Sequence, residues 1–289
     1  MKLSKLYERI VAYGIDKDPR PDKAAITHFQ DSALLYGNAK AEIKKILVGI
    51  DIDVSEILLA DRIRSREGID LVMSHHPSGI AIAGLHEVMQ LQEDLLHRAG
   101  MAKTVAAQFV RERRREVQRK ILPSNLMRAV DAARLLDIAF MCVHTPADNH
   151  AAVYIERLLA RNKPRRLKDV LDLLVQIPEY QQAHKACVGP KIILGNPQRG
   201  VGKVFVEMTG GTEGPRDIYD FLYAQGVRTL VSMHLSEEHF KKVQDTNLNV
   251  IIAGHISSDT LGLNLLLDRI EKEERFQIIN CSGFNRIRR

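Results

Sequence analysis

Histidine and aspartate side chains that could bind metal ions follow three of the apolar segments in this sequence. Two adjacent histidines come directly after residues 69–73, an aspartate follows 138–143, and a histidine and an aspartate follow 250–253. In chain order the five residues are His75, His76, Asp148, His255 and Asp259. Zinc, manganese, iron and cobalt all accept imidazole nitrogen and carboxylate oxygen. These residue types therefore indicate a metal site.

The three segments bring these residues together if they form neighbouring parallel strands. The carboxyl ends of parallel strands lie on one side of a sheet, and ligand sites collect there. If His255 begins a helix, Asp259 lies four residues later on the same helical face. Asp148 could bridge two ions because a carboxylate has two oxygens. Five groups exceed what one four-coordinate catalytic ion needs, which favours two ions.

Each residue also has a simpler interpretation when it is considered alone. A single histidine at a strand end is more often a hydrogen-bonded polar residue than a ligand. Asp148 could cap the helix that begins near residue 149, and His255 and Asp259 could form a surface pair. The adjacent rings of His75 and His76, however, have no obvious packing purpose. The joint occurrence of these groups after three strand-like segments favours the metal site.

Short apolar segments alternate with helical patterns along the chain. Five segments are continuous and rich in β-branched residues, which is typical of strands buried on both faces. They lie at 46–51, 69–73, 138–143, 227–233 and 250–253, and weaker strands are expected at 191–194, 204–207 and 276–279. Strands separated by helices imply crossovers between parallel neighbours. We therefore predict an α/β fold of two lobes with mixed, largely parallel sheets flanked by helices, and a metal site at the strand carboxyl ends between the lobes.

The helical patterns and one basic stretch suggest how the chain is divided. Helices are expected at 5–13, 54–66, 85–97, 102–121, 125–136, 150–160, 167–176, 216–225, 236–246 and 261–272. The Pro- and base-rich residues 162–166 separate two strand-bearing portions. The predicted division is an N-terminal α/β lobe at 1–160, a helical connector at 161–190 and a C-terminal α/β lobe at 191–289, or else one intertwined domain. No short-period repeat is visible.

Length and composition exclude several protein classes. The 289 residues are 45% hydrophobic, enough for a sizeable core, and 27% charged. Because the longest apolar runs are far shorter than the roughly 18 to 20 residues of a membrane helix, we expect no membrane association. Charged residues interrupt the N-terminus where a signal peptide needs an apolar stretch. The three cysteines fit neither a disulfide framework nor a zinc ribbon, and a cytoplasmic protein is favoured.

Basic residues are concentrated in two segments. Residues 111–120 contribute +4 and residues 161–168 contribute +5 to a net charge of +6, so the remaining residues together carry −3. The segments are interpreted either as solvated helix faces or as a phosphate-facing surface for nucleotides or nucleic acid. The glycine-rich residues 209–215 (TGGTEGP) lie between an expected strand and an expected helix. They form either a tight turn or a phosphate-binding loop.

Three segments, in the same order, resemble the signature segments of a known family. Residues 70–77 (DLVMSHHP), 144–149 (HTPADN) and 249–259 (NVIIAGHISSD) are similar to those of the NIF-three-like family, also called type 2 GTP cyclohydrolase I. Residues 34–53 resemble the N-terminal strand and loop of that family. The resemblance covers most of residues 30–80, 138–160 and 225–280.

The resemblance implies a site for two divalent metal ions per chain. The family's ligands fall on His75, His76, Asp148 and His255, and its fifth ligand, usually glutamate, falls on Asp259. Aspartate is shorter by one methylene, which puts the filling of the second ion position in question. Relatives carry a glycine and an acid where this chain has Met233 and His234. We interpret His144 and His234 as candidate proton-transfer groups.

The resemblance also implies an activity, that of a metal-dependent hydrolase like type 2 GTP cyclohydrolase I. In this interpretation a metal-activated water attacks C8 of a nucleotide-like substrate such as GTP. The alternative is a non-enzymatic, metal-braced homo-oligomer whose basic segments bind nucleic acid or a protein partner, since family members are described as toroidal hexamers. In a third interpretation the chain has the family fold but a degenerate metal site, because Asp259 and His234 depart from the family pattern.

Overall fold

The computed structural model describes all 289 residues and contains two β-sheets. The five strands of the first sheet are β1 (Ala33–Tyr36), β2 (Lys45–Gly49), β3 (Leu71–Ser74), β4 (Phe140–Cys142) and β9 (Gln277–Cys281). Their order across the sheet is β1-β4-β3-β2-β9. All neighbours are parallel except β1, which is antiparallel to β4. Strands β3 and β4 are buried along their whole length, as their continuous apolar sequences predict.

The second sheet has four strands and follows the same pattern. Its strands are β5 (Lys191–Leu194), β6 (Lys203–Glu207), β7 (Val227–Ser232) and β8 (Asn249–Ile252). The order is β5-β8-β7-β6, and only β5 is antiparallel to its neighbour. The predicted α/β class, with two mixed and largely parallel sheets, is confirmed. Every predicted strand is present, whereas β1 was not predicted.

Helices flank both sheets. The α-helices are α1 (Leu3–Lys17), α2 (Val54–Glu67), α3 (Ile80–Ala83), α4 (Leu85–Val88), α5 (Leu91–Ala99), α6 (Lys103–Ile121), α7 (Arg128–Leu135), α8 (Thr145–Asn162), α9 (Leu167–Val175), α10 (Pro178–Lys185), α11 (Tyr219–Ala224), α12 (Glu237–Val243) and α13 (His255–Ile270). Short 3₁₀ turns occupy Lys23–Ala25 and Arg216–Ile218. The helix predicted over 85–97 is divided between α4 and α5. None of these helices combines the length and the apolar character needed to cross a membrane.

Two helices begin one to two turns earlier than the sequence predicts. Helix α8 starts at Thr145 instead of 150, with Pro146 in its first turn, where the fixed φ of proline suits a helix start. Helix α13 starts at His255 instead of 261. It follows Gly254, whose φ of 110° lets the chain turn sharply out of β8. Both early starts place polar residues in a first helical turn at the end of a strand.

The two sheets are related by an internal structural repeat. Strands β1, β2, β3 and β4 have the same order and direction as β5, β6, β7 and β8, because each set has an antiparallel edge strand beside three parallel strands. Helix α8 follows β4 and helix α13 follows β8 at equivalent places. The carboxyl ends of the parallel strands in both repeats can therefore contribute to one site.

Helices α8 and α13 pack against each other and join the two hydrophobic cores. Ala147 of α8 and Leu263 of α13 belong to the core beneath the first sheet, whereas Ile155 and Leu261 of the same helices belong to the core beneath the second. The helices approach so closely at Gly262 that a Cβ there would lie 2.4 Å from the backbone oxygen of Ala147. This contact fixes the distance between the two helix starts.

The chain returns to the first sheet after completing the second. Strand β9 pairs in parallel with β2, Lys45 opposite Gln277, so the first sheet contains residues from both ends of the sequence. Residues 161–190 hold α9 and α10. The division into lobes at 1–160 and 191–289 stays a prediction, as does its intertwined alternative.

The first basic segment, 111–120, is the C-terminal half of α6. Several of its cations are paired within the protein: Arg113 with Glu116 at 2.8 Å, Lys120 with the same carboxylate at 3.0 Å, and Arg114 with Glu87. The second segment, 161–168, spans the end of α8 and the start of α9. Binding of nucleic acid by these segments stays a prediction.

Candidate metal centre

The carboxyl ends of β3, β4 and β8 meet at one place, and the histidines and aspartates expected from the sequence lie there. His75 and His76 follow β3 directly, and their backbone N–H groups donate to Gly49 O and Ile50 O, both at 2.9 Å. Asp148 lies in the first turn of α8. His255 begins α13, so Asp259 lies one helical turn later, as the spacing requires.

The side chains approach one another at distances of 3.3 to 3.7 Å. Nε2 of His75 lies 3.3 Å from Asp148 Oδ1 and 3.5 Å from Asp259 Oδ1. The other oxygen of Asp259 lies 3.5 Å from His76 Nε2 and 3.7 Å from His255 Nε2. Asp259 therefore lies between three histidines. The carboxylate of Asp259 thus reaches the centre although aspartate is one methylene shorter than glutamate.

Three potential ligand atoms at the centre are buried and have no hydrogen-bond partner: His75 Nε2, Asp148 Oδ1 and Asp259 Oδ2. Buried polar atoms are nearly always hydrogen-bonded, and leaving one without a partner is costly. Three groups of residues each bring their ligand atoms within 4.8 Å of one another. The groups are His75, His76 and His144; His76, His255 and Asp259; and His75, Asp148 and Asp259. Nitrogen and oxygen donors in this arrangement fit a divalent transition metal or zinc.

Three of the imidazole rings are hydrogen-bonded on their far side, which directs the other nitrogen to the centre. Nδ1 of His75 donates to the carbonyl of Val143 at 3.0 Å. Nδ1 of His76 donates to Asp51 at 2.7 Å, and Nδ1 of His144 to Asp31 at 2.8 Å. In the neutral ring, which is the form that binds a metal ion, such contacts select the tautomer with a free Nε2 and increase its basicity as a ligand. Asp31 and Asp51 were not among the residues expected from the sequence.

Burial and charge act in opposite directions on these groups. Burial disfavours a charged imidazolium at His75, but the carboxylates of Asp259 and Asp148 outweigh it and raise the pKa of His75 to about 10. Burial would raise the pKa of Asp259, yet His75 and its neighbouring histidines hold it well below the usual range. His255 differs, because burial lowers its pKa. The centre is thus a strongly coupled cluster of positive and negative groups, a setting common at functional sites.

His144 lies among the proposed ligands and not outside them. Its ring centroid is 4.9 Å from that of His75, and its Nε2 is 3.7 Å from Asp148 Oδ2. Burial opposes protonation of His144, but Asp148 and Asp31 raise its pKa. The geometry therefore allows His144 either to bind an ion or to hold a proton beside Asp148.

His234 lies at the mouth of the site. Its side chain is 40% exposed, and its ring contacts that of His255 in a tilted arrangement with centroids 4.5 Å apart. Nδ1 of His234 is 3.4 Å from Glu213 Oε1. Burial opposes the charged form, but Glu213 raises the pKa of His234. A half-exposed imidazole beside a carboxylate is well placed to exchange protons with solvent.

A small cavity of about 40 Å³ opens onto this cluster, and both repeats line it. His144, Asp148 and Asp259 form one side, and the glycine-rich loop forms the other with Thr209, Gly211, Thr212 and Glu213. The N–H of Gly214 donates to Glu207 at 3.0 Å instead of facing a ligand. Burial raises the pKa of Glu207, which also lines the cavity. A phosphate-binding role for this loop stays a prediction.

The internal repeat extends into the centre. His144, the N-cap residue of α8, and Asp148 have the same spacing as His255 and Asp259 at the start of α13. Ser74 donates to the carbonyl of His76 at 2.9 Å, and Ser232 donates to that of His234 at 2.8 Å. Met233 occupies the place equivalent to His75. Each repeat thus supplies one half of the cluster, and the halves differ by one histidine.

Comparisons with known proteins agree with the overall fold. No family model matches the sequence, and no curated protein matches it. A solved NIF3 superfamily protein from Sphaerobacter thermophilus is 25% identical and superposes with a TM-score of 0.80, covering 95% of this chain and 97% of that one. Two further solved structures share the fold. Reduced HcgD from Methanocaldococcus jannaschii is 17% identical, with a TM-score of 0.59 over 97% of each chain. The protein ybgI, of unknown function, is 15% identical, with a TM-score of 0.56 over 98% of each chain. The resemblance to the NIF-three-like family is confirmed.

Proposed function

We propose that this NIF3-like protein is a metal-dependent hydrolase that holds its ions where the two repeats meet. The proposed ligands are His75, His76, Asp148, His255 and Asp259. One observation carries the proposal: three of their ligand atoms are buried together without hydrogen-bond partners. Such atoms destabilise the fold unless something binds them, and a divalent ion satisfies all three at once.

Divalent ions at this place would lower the pKa of a bound water towards neutrality and polarise the group under attack. The chain's own residues prepare the site for that chemistry. Asp148 and Asp259 supply the negative charge, and their helices hold them at a fixed separation through the contact at Gly262. The bonds from His75 to Val143 and from His76 to Asp51 keep both rings oriented before any ion arrives.

His144 and His234 are the proposed proton-transfer groups. His144 is held by Asp31 on its far side and lies beside Asp148, so it can hold a proton inside the site. His234 is half-exposed and lies beside Glu213, so it can pass a proton between the site and solvent. The two histidines face the same cavity from different repeats. A hydrolase needs both capacities, because the attacking water loses a proton and the leaving group gains one.

A nucleotide-like substrate is part of the proposal. The cavity lining is mostly polar, and His234 and His255 present half-exposed rings at its mouth on which a planar base can stack. The specific reaction that the resemblance implies, hydrolytic opening of the guanine imidazole ring of GTP, stays a prediction, as do assembly into a homo-oligomer and the number and identity of the ions.

The first test is elemental analysis of the purified, unchelated protein. We expect about two ions per chain in the wild type, by the argument from five ligand groups. His75→Ala and Asp148→Ala should each lose metal while retaining the circular dichroism spectrum of the folded protein. The matched control is His184→Ala, which removes an exposed histidine of α10. Normal metal content in both ligand variants would refute the proposed site.

The second test is hydrolysis with the ion that the first test identifies. GTP and other nucleotides are incubated with wild type, Asp148→Ala and His184→Ala. We expect turnover in the wild type and the control, and loss of at least two orders of magnitude in Asp148→Ala, since a metal-activated water is lost. A metal-loaded wild type that hydrolyses none of them contradicts the hydrolase. If wild type holds one ion per chain and Asp259→Glu holds two, the shorter side chain of Asp259 accounts for the missing ion.

A further inference from the structure

A groove leads away from the metal centre between helix α8 and strand β6. The cavity at the centre shares Thr209 with a second cavity of about 310 Å³. The second cavity in turn shares Leu95, Glu156 and Val206 with a third, of about 550 Å³, which extends to the far end of α8. The three cavities therefore follow one face of a single helix.

We propose that the middle part of this groove binds the phosphate group of a small substrate whose reacting end lies at the metal centre. This inference rests on the proposed function and adds to it a phosphate subsite for the substrate of that same site. We call the 310 Å³ cavity the basic groove, because it is lined by the cations Lys17, Arg20, Lys23, Arg98 and Arg157 and only three acids, Asp16, Asp18 and Glu156.

Not all of the cations in the basic groove are neutralised by neighbours. Lys17 pairs with Asp16 and Arg20 pairs with Asp18, both at 2.8 Å. Arg157 has no ion-pair partner. Lys23 bonds only to a backbone carbonyl, whereas Arg98 forms a long ion pair with Glu156 at 3.8 Å. Two cations, Lys23 and Arg157, thus remain available to an anion.

The distance from the basic groove to the centre suits a phosphorylated small molecule. Asp148 and Arg157 lie on the same helix, nine residues apart, which is roughly 13 Å along its axis. A nucleoside triphosphate can cover that span. A volume of 310 Å³ is also at the lower end of the range for small-molecule sites.

Hydrogen bonds of the buried Asn149 connect the basic groove to the metal centre. Thr209 donates to Asn149 Oδ1 at 2.6 Å, and the amide of Asn149 donates to Asp18 at 3.3 Å. Asn149 is fully buried and directly follows the ligand Asp148, while Asp18 positions Arg20 in the basic groove. A phosphate held in the groove and a group held at the centre therefore have a fixed separation, which favours substrates of one length.

The test is calorimetric titration with sodium tripolyphosphate at low ionic strength. Wild type is compared with Lys23→Ala, Arg157→Ala, the double variant, and the control Arg161→Ala, an exposed arginine one turn further along α8 that lines none of the three cavities. We expect each single groove variant to weaken binding about tenfold, the value of one charge-assisted contact, and the double variant to weaken it about a hundredfold. The control should bind as wild type does, and added salt should weaken binding.

Three results would overturn the inference: no binding by wild type, equal weakening by Arg161→Ala and Arg157→Ala, or stronger binding of a single-stranded oligonucleotide than of GTP through the same residues. Tighter binding of GTP than of both guanosine and tripolyphosphate would support the span to the centre. Metal content is measured on every sample. Arg157-dependent binding to a protein that carries no metal would uphold the basic groove and refute the proposed hydrolase, so the two failures are distinguishable.

Discussion

Replacement of Gly262 by alanine tests whether the helix contact sets the metal centre. A Cβ at residue 262 would lie 2.4 Å from the backbone oxygen of Ala147, whereas ordinary contacts begin at 3.4 Å. Both atoms that collide belong to rigid helices, so α8 and α13 must separate by about 1 Å. Ala147 directly precedes Asp148, and Asp259 lies one turn before the glycine. The separation therefore moves the two carboxylates apart.

The size of the effect follows from these distances. Overpacking against a backbone atom costs about 3 kcal/mol, and the better helix propensity of alanine restores about 1 kcal/mol. The net loss of about 2 kcal/mol corresponds to a fall in Tm of about 3 °C for a chain of 289 residues, because the entropy of unfolding is about 2.1 cal/mol/K per residue. A shift of 1 Å also exceeds the roughly 0.5 Å that a preorganised site tolerates. Metal content should fall well below that of wild type, although every ligand is retained.

The assay combines thermal unfolding with elemental analysis of the same samples. Unfolding is measured with chelator present, so that lost metal does not itself lower Tm. Gly200→Ala is the matched control, because the nearest atom to its Cβ is 4.0 Å away and its backbone is not strained. Wild-type metal content and Tm in Gly262→Ala would refute the argument that this contact positions Asp148 and Asp259.

Three further variants test single contacts of the centre and its surroundings. Asp51→Ala removes the partner of His76 Nδ1 and should weaken metal binding 10- to 100-fold in a competition titration; unchanged affinity would contradict the orienting role. Glu213→Gln should lower the pKa of His234, because that carboxylate raises it, and NMR titration of the ring measures the change. Burial lowers the pKa of His150 to about 4. The unfolded chain therefore binds a proton that the folded one does not, so chelated wild type should lose about 3 kcal/mol of stability as the pH falls from about 6.5 to 4. His150→Leu should lack this loss in urea unfolding, and equal pH dependence would show that another group is responsible.

The residues of the proposed site were predictable because they lie in the turns and helix starts that follow buried strands. His75, Asp148 and Asp259 each come after a continuous apolar segment, and the parallel arrangement of those segments brings them together. Asp51 carries the same signal, since it follows β2, yet it was assigned to the strand itself. Asp31 carries no such signal. It precedes an edge strand and reaches His144 only through the antiparallel pairing of β1 with β4.

The internal repeat could not be predicted from residue identity. Its two halves share little beyond a serine and histidine after one strand and a histidine and aspartate four residues apart at the next helix. The insertions between equivalent strands differ, because α3 to α7 separate β3 from β4 whereas α12 alone separates β7 from β8. Strand β1 was missed for a different reason. Its four residues, ALLY, are all apolar, but the run is short and contains no β-branched residue, the feature that marked the other strands.

The pairing of β9 with β2 has a consequence for how the protein is made. The two strands are roughly 230 residues apart, a long-range pairing of the kind that slows folding. On the ribosome, β2 emerges long before the strand that covers it. An uncovered strand edge can pair with other nascent chains. We therefore expect the N-terminal sheet to be the part most prone to aggregation during translation, and most dependent on chaperones until β9 has been synthesised.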